Sequence, residues 1–381
     1  MTTKPHVLHM TSAHPRDDTR IWLKMCRSVN RAGYRTSLVV ADGRGEEIKD
    51  GIEVIDVGNA RGRLGRMTVA ANRVYRAAKH SDAAICHFHD PELLPFGATL
   101  RRAGKIVVYD AHEDLGEDVR TKDYLPALLR YPIARAADFV ERIAGGKLSA
   151  IVGATPGIAA KFQRYGYRSA EINNFPWSHE LRLQDSPPMQ ERALEFVYVG
   201  GISVDRGLIK ILKALALLEG PGLLNIAGSF SLEREQAVAE ASPGWDRVRF
   251  LGQLGREDVA HLLGATRAGL VLFQPLANNV TGRPNKLFEY MSAALPVIAS
   301  DYPGWREIVD SCGCGLLVDP QSPEAIAEAM QWILDHPAES QAMGERGRQA
   351  ILTRYNWEAE AKKLIDLYEQ LTGPGEGGAR Q

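Results

Sequence analysis

Cysteine is scarce: four residues, Cys26, Cys86, Cys312 and Cys314, in 381. A single glycine separates the last two, too little for a common disulfide or zinc pattern, and the first two read as buried small hydrophobes. That inventory is reduced and cytosolic. Charge of one sign is not in excess either. Forty-six basic residues face forty-seven acidic ones, a net charge of −1, which argues against nucleic acid as the main partner and leaves only a local basic face open. The opening MTTKPHVLHM lacks the apolar core of a signal peptide. Nowhere does an uncharged apolar run reach the ~20 residues that a membrane-spanning helix needs. The chain reads as soluble or peripheral.

What is present is alternation. Hydrophobic content is 45%, normal for full-sized cores, and the length suggests two or three domains. Short apolar runs (His6–Met10, Thr36–Val40, Ala83–Cys86, Ile106–Tyr109, Ala150–Val152) read as strands in the first half. In the second half Phe196–Val199, Leu223–Ala227, Val248–Leu251, Gly269–Phe273, Pro296–Ala299 and Gly315–Val318 do so. Helical patterns such as Ile21–Ala32, Met67–His80 and Leu208–Leu218 separate them. Strands alternating with helices predict α/β architecture, parallel sheets covered on both faces. Trp177–Arg192, with Asp185-Ser186-Pro187-Pro188, has no clean period and is the best linker candidate. The expectation is two doubly wound, Rossmann-like domains, 1–177 and 192–354, with ligands at the carboxyl ends of their strands and the site in a cleft between them. The glycine-rich tail Gly373–Gln381 reads as disordered.

The densest stretch is PNKLFEYMSAALPVIASD, Pro284 to Asp301. A helix opening at Pro284 loses no hydrogen bond, since the first N–H has no intrahelical partner. Its positive end follows Gly282, where backbone can approach a phosphate. Lys286 adds a point charge, and Glu289, one turn deeper, can grip a pair of hydroxyls. Phosphate plus vicinal diol describes a nucleotide. The bland alternative is a helix start with a solvated Lys and Glu, and this segment by itself leaves both open.

Together with its neighbours this stretch resembles the retaining GT-B-fold glycosyltransferases, in particular the large fourth family (glycosyl transferases group 1) with its sucrose synthase-like and bacterial polysaccharide enzymes. FVYVGGISVDRG (196–207) is similar to that family's phosphate-binding loop, and VRFLGQL (248–254) to the segment holding the base by its backbone. LPVIASD and CGLLVDP (314–320) follow in the family order. HMTSAHPRDDTRIWLKMCRSVNRAGY, HFHDPELL (87–94) and VVYDAHED (107–114) resemble the first half of capsular and exopolysaccharide members. NWEAEAKKLIDLYEQL (356–371) resembles the last helix, which in the family returns to the N-terminal domain, here 355–372. The resemblance implies a GT-B fold with the acceptor in the N-terminal domain and a nucleoside diphosphate sugar, UDP- or GDP-linked, in the C-terminal one. It implies no cofactor.

For such a donor the leaving group is a diphosphate, and preorganised cations should meet its growing charge. Arg206, after Gly200-Gly201, is the candidate to bridge two phosphate oxygens; the alternative is a surface Arg in a turn. The family commonly carries a second cation where this chain has Gly201, which leaves Lys286, with Arg283, to supply it. Glu289 matches the family's second motif glutamate, on the ribose hydroxyls, and Leu287 shares its helix. Gln253 and Leu254 belong to the base segment. The first motif glutamate is absent: Thr281 stands there with only a hydroxyl, while backbone N–H groups of Gly282 and Arg283 are expected near the sugar or β-phosphate. His112, just past a strand end, resembles the histidine that touches the donor sugar, and the expected catalytic set is His112, Arg206 and Lys286. Glu113 and Asp114 are expected to orient its ring or an acceptor hydroxyl. His87, His89 and Asp90 invite a metal reading, but no further ligand is evident. They are expected to line the acceptor pocket, with His14, Asp18, Arg20 and Glu113 beside them. No Asp-x-Asp triplet occurs, so the metal-chelating device of the other major transferase fold is missing and no metal is expected.

Arg61, Arg63, Arg66, Arg73, Arg76 and Lys79 make the first half locally basic, and Arg120, Lys122, Arg130 and Arg135 surround the apolar DYLPALLRYPIARAADF. A charge run is usually a solvated helix face. Basic and apolar residues together, in an enzyme that extends a lipid-linked sugar, suggest an anionic membrane surface. The leading expectation is a retaining hexosyltransferase of surface polysaccharide or related glycan synthesis, cytoplasmic or peripheral on the inner face of the membrane. A nucleotide-sugar epimerase or hydrolase, and a sugar-nucleotide-binding assembly subunit, are the alternatives.

Overall fold

In a computed structural model, residues 4–120 and 126–373 are described. Lys122 and the tail from 374 onward therefore lie outside them. The chain divides into two compact units, Met1–Asn174 with Ala359–Gln381, and Phe175–Glu358. Trp177–Arg192 falls within the second unit.

The first unit is built on eight strands: β1 (His6–Met10), β2 (Arg35–Val40), β3 (Glu47–Lys49), β4 (Ile52–Asp56), β5 (Ile85–Phe88), β6 (Ile106–Ala111), β7 (Ala150–Gly153) and β8 (Ser169–Glu171). Their order is β3-β4-β2-β1-β5-β6-β7-β8. Every pair is parallel except β3 with β4. That antiparallel edge comes from Asp50-Gly51, whose φ angles of 53° and 75° make the two-residue turn that matches strand twist. The sequence reading did not anticipate this hairpin, because β3 is wholly exposed and has no buried face to show.

Side chains alternate across the sheet. Leu8, Met10, Cys86, Phe88, Val107 and Tyr109 bury one face in a core shared with Val74, Leu100 and Phe162. The opposite face takes Ile21, Trp22, Leu38, Val40, Ile52 and Val54. The same period of two sends His9, His87 and Asp110 to that second face.

The second unit carries β9 (Glu195–Val199), β10 (Leu223–Ala227), β11 (Val248–Gly252), β12 (Ala268–Val271), β13 (Val297–Ser300) and β14 (Gly315–Val318), all parallel, in the order β11-β10-β9-β12-β13-β14. Two apolar cores, around Phe288 and Trp305 and around Leu212 and Met330, sandwich the sheet. Strand order reverses between β9 and β12, as it does between β1 and β5 in the first unit, and such switch points open a crevice at the carboxyl edge. The critical helix runs Asn285–Ser292, so Pro284 is its cap (ψ 129°) and not its first helical residue, a one-residue shift of the kind helix ends commonly show.

Candidate functional site

In the second unit the loop after β9 and the helix Asn285–Ser292 meet over the switch point. Gly200 sits at φ 106°, a conformation reserved for glycine, with Lys286 Cε 3.9 Å from where its Cβ would stand. Lys286 is 7% exposed. Its Nζ lies 3.6 Å from the Tyr198 ring centre and 5.3 Å from that of Phe273. It has no hydrogen-bond partner among the described residues. Burial first, then the Arg206 charge, holds its pKa well below the usual lysine value, against a smaller upward pull from Glu289. A buried, unpartnered amine is costly, and what would satisfy it is an anion.

Arg206 is exposed and folds back, Nη1 donating to the Gly201 carbonyl at 2.9 Å. A Cβ on Gly201 would lie 2.3 Å from that nitrogen. The cation missing at 201 is thus replaced in space by Arg206. Glu289 accepts from Arg256 Nη1 at 2.6 Å, and Arg256 Nη2 donates to Glu180 at 3.2 Å. Arg256 escaped the sequence reading because nothing marks one Arg in the opening turn of a helix.

Three expectations are corrected here. The Gly282 N–H already donates to the Asn278 carbonyl at 2.9 Å, and its own carbonyl accepts from Trp305 at 2.7 Å. Neither is left to face a sugar. Leu287 is fully buried in the core and its N–H donates to Pro284. Thr281 turns its hydroxyl back to the Ala277 carbonyl at 2.9 Å. Gln253 is exposed past the end of β11, its amide donating to Ser229 Oγ at 3.3 Å, and Leu254 is half-buried against the core.

In the first unit a histidine cluster occupies the carboxyl edge at the β1/β5 switch point. Asp110, with no exposure, accepts from Arg20 Nε at 2.8 Å and Nη2 at 2.7 Å, from His89 Nδ1 at 3.0 Å and from His112 Nε2 at 2.8 Å. Burial pushes its pKa up, but Arg20 and His112 outweigh burial and hold it well below the carboxylate range. An ionised carboxylate can only accept, so the tautomers follow. His89 donates through Nδ1 and accepts at Nε2 from His9 Nδ1, 3.0 Å away. His112 donates through Nε2 to the same carboxylate, which leaves Nδ1 on the far side of its ring. Burial lowers His89 to about 3 and His9 and His87 well below the usual histidine value, so the rings are neutral. His87 Nδ1 meets the Tyr368 hydroxyl at 2.6 Å, joining the last helix, Trp357–Thr372, to this face of the sheet.

His87 and His89 do stack, with ring centres 5.0 Å apart. Yet His87, His89, Asp90 and Arg20 are all buried, behind the surface and not lining it. Asp90 does not join the rings: it accepts from the Ser12 N–H at 2.6 Å. His87, His89 and Asp110 bring ligand atoms within 4.8 Å of one another, but the carboxylate is taken by a guanidinium, which repels a second cation. Asp110, not Glu113 or Asp114, orients His112; Asp114 accepts from Lys161 Nζ at 2.9 Å, and Glu113 is exposed.

His14 and Asp18 share the partly exposed rim with His112. The ring of His14 lies 5.2 Å from that of His112, and it sits 3.5 Å from both Asp18 and Asp90. Burial lowers its pKa, but the carboxylates of Asp18 and Asp90 reverse the sign and raise it. Asp18 also caps the π-helical turn Thr19–Cys26, accepting from the Arg20 and Ile21 N–H groups at 2.8 and 2.9 Å. Burial opposes its ionisation, but His14 and the Ile21 N–H bring its pKa down to about 2.

Comparison with known proteins places both units. The profile described as glycosyl transferase 4-like domain matches residues 19–176, and that described as glycosyl transferases group 1 matches residues 182–350. D-inositol 3-phosphate glycosyltransferase of Corynebacterium urealyticum is 30% identical over 222 residues, 52% of each chain. A GDP-mannose-dependent alpha-(1-6)-phosphatidylinositol monomannoside mannosyltransferase of Mycobacterium tuberculosis is 28% identical over 152 residues, 39% of this chain and 40% of that one. The chain thus spans about half or less of the curated relatives it matches. Among solved structures, sucrose-phosphate synthase from Thermosynechococcus elongatus superposes with a TM-score of 0.77 over 97% of this chain and 99% of that one, at 19% identity, a likeness of fold alone. With both halves matched and two doubly wound sheets in place, one in each unit, the chain belongs to the group 1 glycosyltransferases of the GT-B fold.

Proposed function

We propose that the chain transfers a hexosyl group from a nucleoside diphosphate sugar to a saccharide or lipid-linked saccharide in glycan synthesis, with retention at the anomeric carbon and without a divalent metal. The observation that carries this reading is the buried, unpartnered Lys286 beside Gly200. With Arg206 it supplies two cations to the diphosphate, and Glu289, set by Arg256, takes the ribose hydroxyls. The bond between the anomeric carbon and the β-phosphate oxygen breaks as the acceptor oxygen bonds that carbon from the same face. The acceptor's proton passes to the departing diphosphate, so charge balances with no protein nucleophile. His112 offers Nδ1 to a sugar hydroxyl. Among the described residues no helix is long and apolar enough to cross a membrane, and the reading places the enzyme at the cytoplasmic surface of one.

Titration with UDP and with GDP, with and without chelator, tests the donor half. Unchanged affinity is expected. Loss on chelation, restored by magnesium, overturns metal independence. Arg206→Gln should weaken the diphosphate and leave the nucleoside unaffected; equal losses would remove Arg206 from the phosphate.

A further inference from the structure

The helix Ala127–Gly145 of the first unit is amphipathic in an unusual sense: its large apolar residues face outward, while Ala134 and Ala144 turn to the core. Leu128 is 92% exposed and Phe139 63%, and with Leu129, Pro132, Val140 and Ile143 they form one stripe at spacings of three and four. Its two carboxylates turn inward. Glu141 is buried 2.6 Å from Lys161 Nζ, and Asp138 accepts from Lys161 and Arg120. The exposed charges on this helix are therefore arginines, Arg135 and Arg142, along one edge of the stripe, the Arg142 guanidinium 5.1 Å from the Tyr165 ring centre.

A second patch repeats the chemistry. Leu64 (78% exposed), Met67 and Val69 project from the helical run that precedes β5. Residues 57–80 hold five arginines and a lysine and no carboxylate. Both runs follow a strand of the same parallel sheet and lead to the next strand on the same side. Right-handed crossovers therefore put them on one face, with Leu64 and Leu128 both at the carboxyl edge. The Leu94–Arg102 helix packs between them.

We propose that this face is the docking surface for the headgroup region of an anionic lipid bilayer. The stripe enters the acyl boundary, and the arginines meet lipid phosphates. Charge decides the occupant: among the described residues of these two helical runs the exposed charges are all basic, which complements an anionic plane, whereas a second copy of the same face would be repelled. The proposal deepens the peripheral placement above and would bring the histidine rim of this unit to where a lipid-linked acceptor lies.

Vesicle co-sedimentation, with neither donor nor acceptor present, tests it apart from turnover. Phosphatidylcholine vesicles with about one-third phosphatidylglycerol should bind the protein, and salt should release it. Pure phosphatidylcholine should not bind. Arg135→Gln with Arg142→Gln should weaken binding roughly twenty-fivefold, about fivefold per arginine. Leu128→Ser with Phe139→Ser should abolish it at unchanged circular dichroism, and Arg234→Gln, exposed in the other unit, should have no effect. No binding by the parent overturns both face and placement. Binding that survives both double variants overturns the face alone. A concentration-dependent dimer lost in Leu128→Ser with Phe139→Ser would show that a second copy covers the stripe and also overturns it.

Discussion

Lys286 should make donor binding take up a proton. Burial holds the amine well below the usual lysine value of 10.5, so above its depressed folded pKa the free protein carries it neutral. A bound diphosphate restores the charge. Affinity for UDP or GDP should fall as pH rises above the free-state pKa, by up to about tenfold per unit, with as much as one proton taken up per nucleotide. In Lys286→Met the loss should match a charge-assisted hydrogen bond, about 1.5–3 kcal/mol, or roughly tenfold to over a hundredfold in Kd. Stability should move the other way. Between the depressed folded value and 10.5 the unfolded chain binds one more proton than the native state, so the free protein gains stability as pH rises through that window. Replacing the unpartnered amine by methionine, similar in length and apolar, should stabilise the free protein by about 1–3 kcal/mol and remove that slope. Calorimetric titration in two buffers of different ionisation enthalpy measures the proton, and chemical denaturation measures the stability. A structural lysine would give the reverse: no proton uptake, undiminished affinity and a less stable Met variant.

Glu289→Gln should weaken UDP or GDP by about 1.5–3 kcal/mol, while the deoxyribose nucleotide, already weak, loses little further; equal losses in titration would make Glu289 structural. Asp110→Asn should destabilise the first unit by roughly 3–5 kcal/mol in denaturant melts, since it strands the buried Arg20 guanidinium, and Arg20→Met combined with Asp110→Leu should recover part of that loss. The raised His14 contributes stability that is fully present below its unfolded value of 6.5 and is lost as pH rises through its higher folded value. His14→Gln should flatten that limb of the stability–pH profile. Asp18, lowered to about 2 from 3.8, should contribute roughly 2 kcal/mol that disappears as pH falls through 2, with Asp18→Asn flattening the acid limb.

The sequence revealed most where one periodicity dominates. Strands of a covered parallel sheet are short runs rich in apolar residues, so β1, β10 and β14 fall where their residues predict. The alternation in HFHD puts His87 and His89 on one face of the sheet, where their rings stack. It could not show that Tyr368, 281 positions away, seals His87 from solvent, because burial is set by what packs above a strand. His9 and Asp110 were legible only as residues facing away from Leu8 and Tyr109 on strands whose partners were unknown. Gly282 was read as an open donor because its i−4 carbonyl, Asn278, lies in a five-residue helix, Ala277–Thr281, too short to leave a periodic trace. Gly201, read as a lost cation, is the space that Arg206 fills.

The most direct test is the configuration of the new glycosidic bond. Incubating the protein with an α-linked nucleotide sugar and a lipid-linked saccharide extract, in chelator, and reading the anomeric proton of the product by magnetic resonance settles stereochemistry and metal independence together. The account predicts an α-linked product formed at an undiminished rate. A β-linked product, a glycosyl adduct trapped on any side chain, or product formed only when magnesium is restored would contradict it.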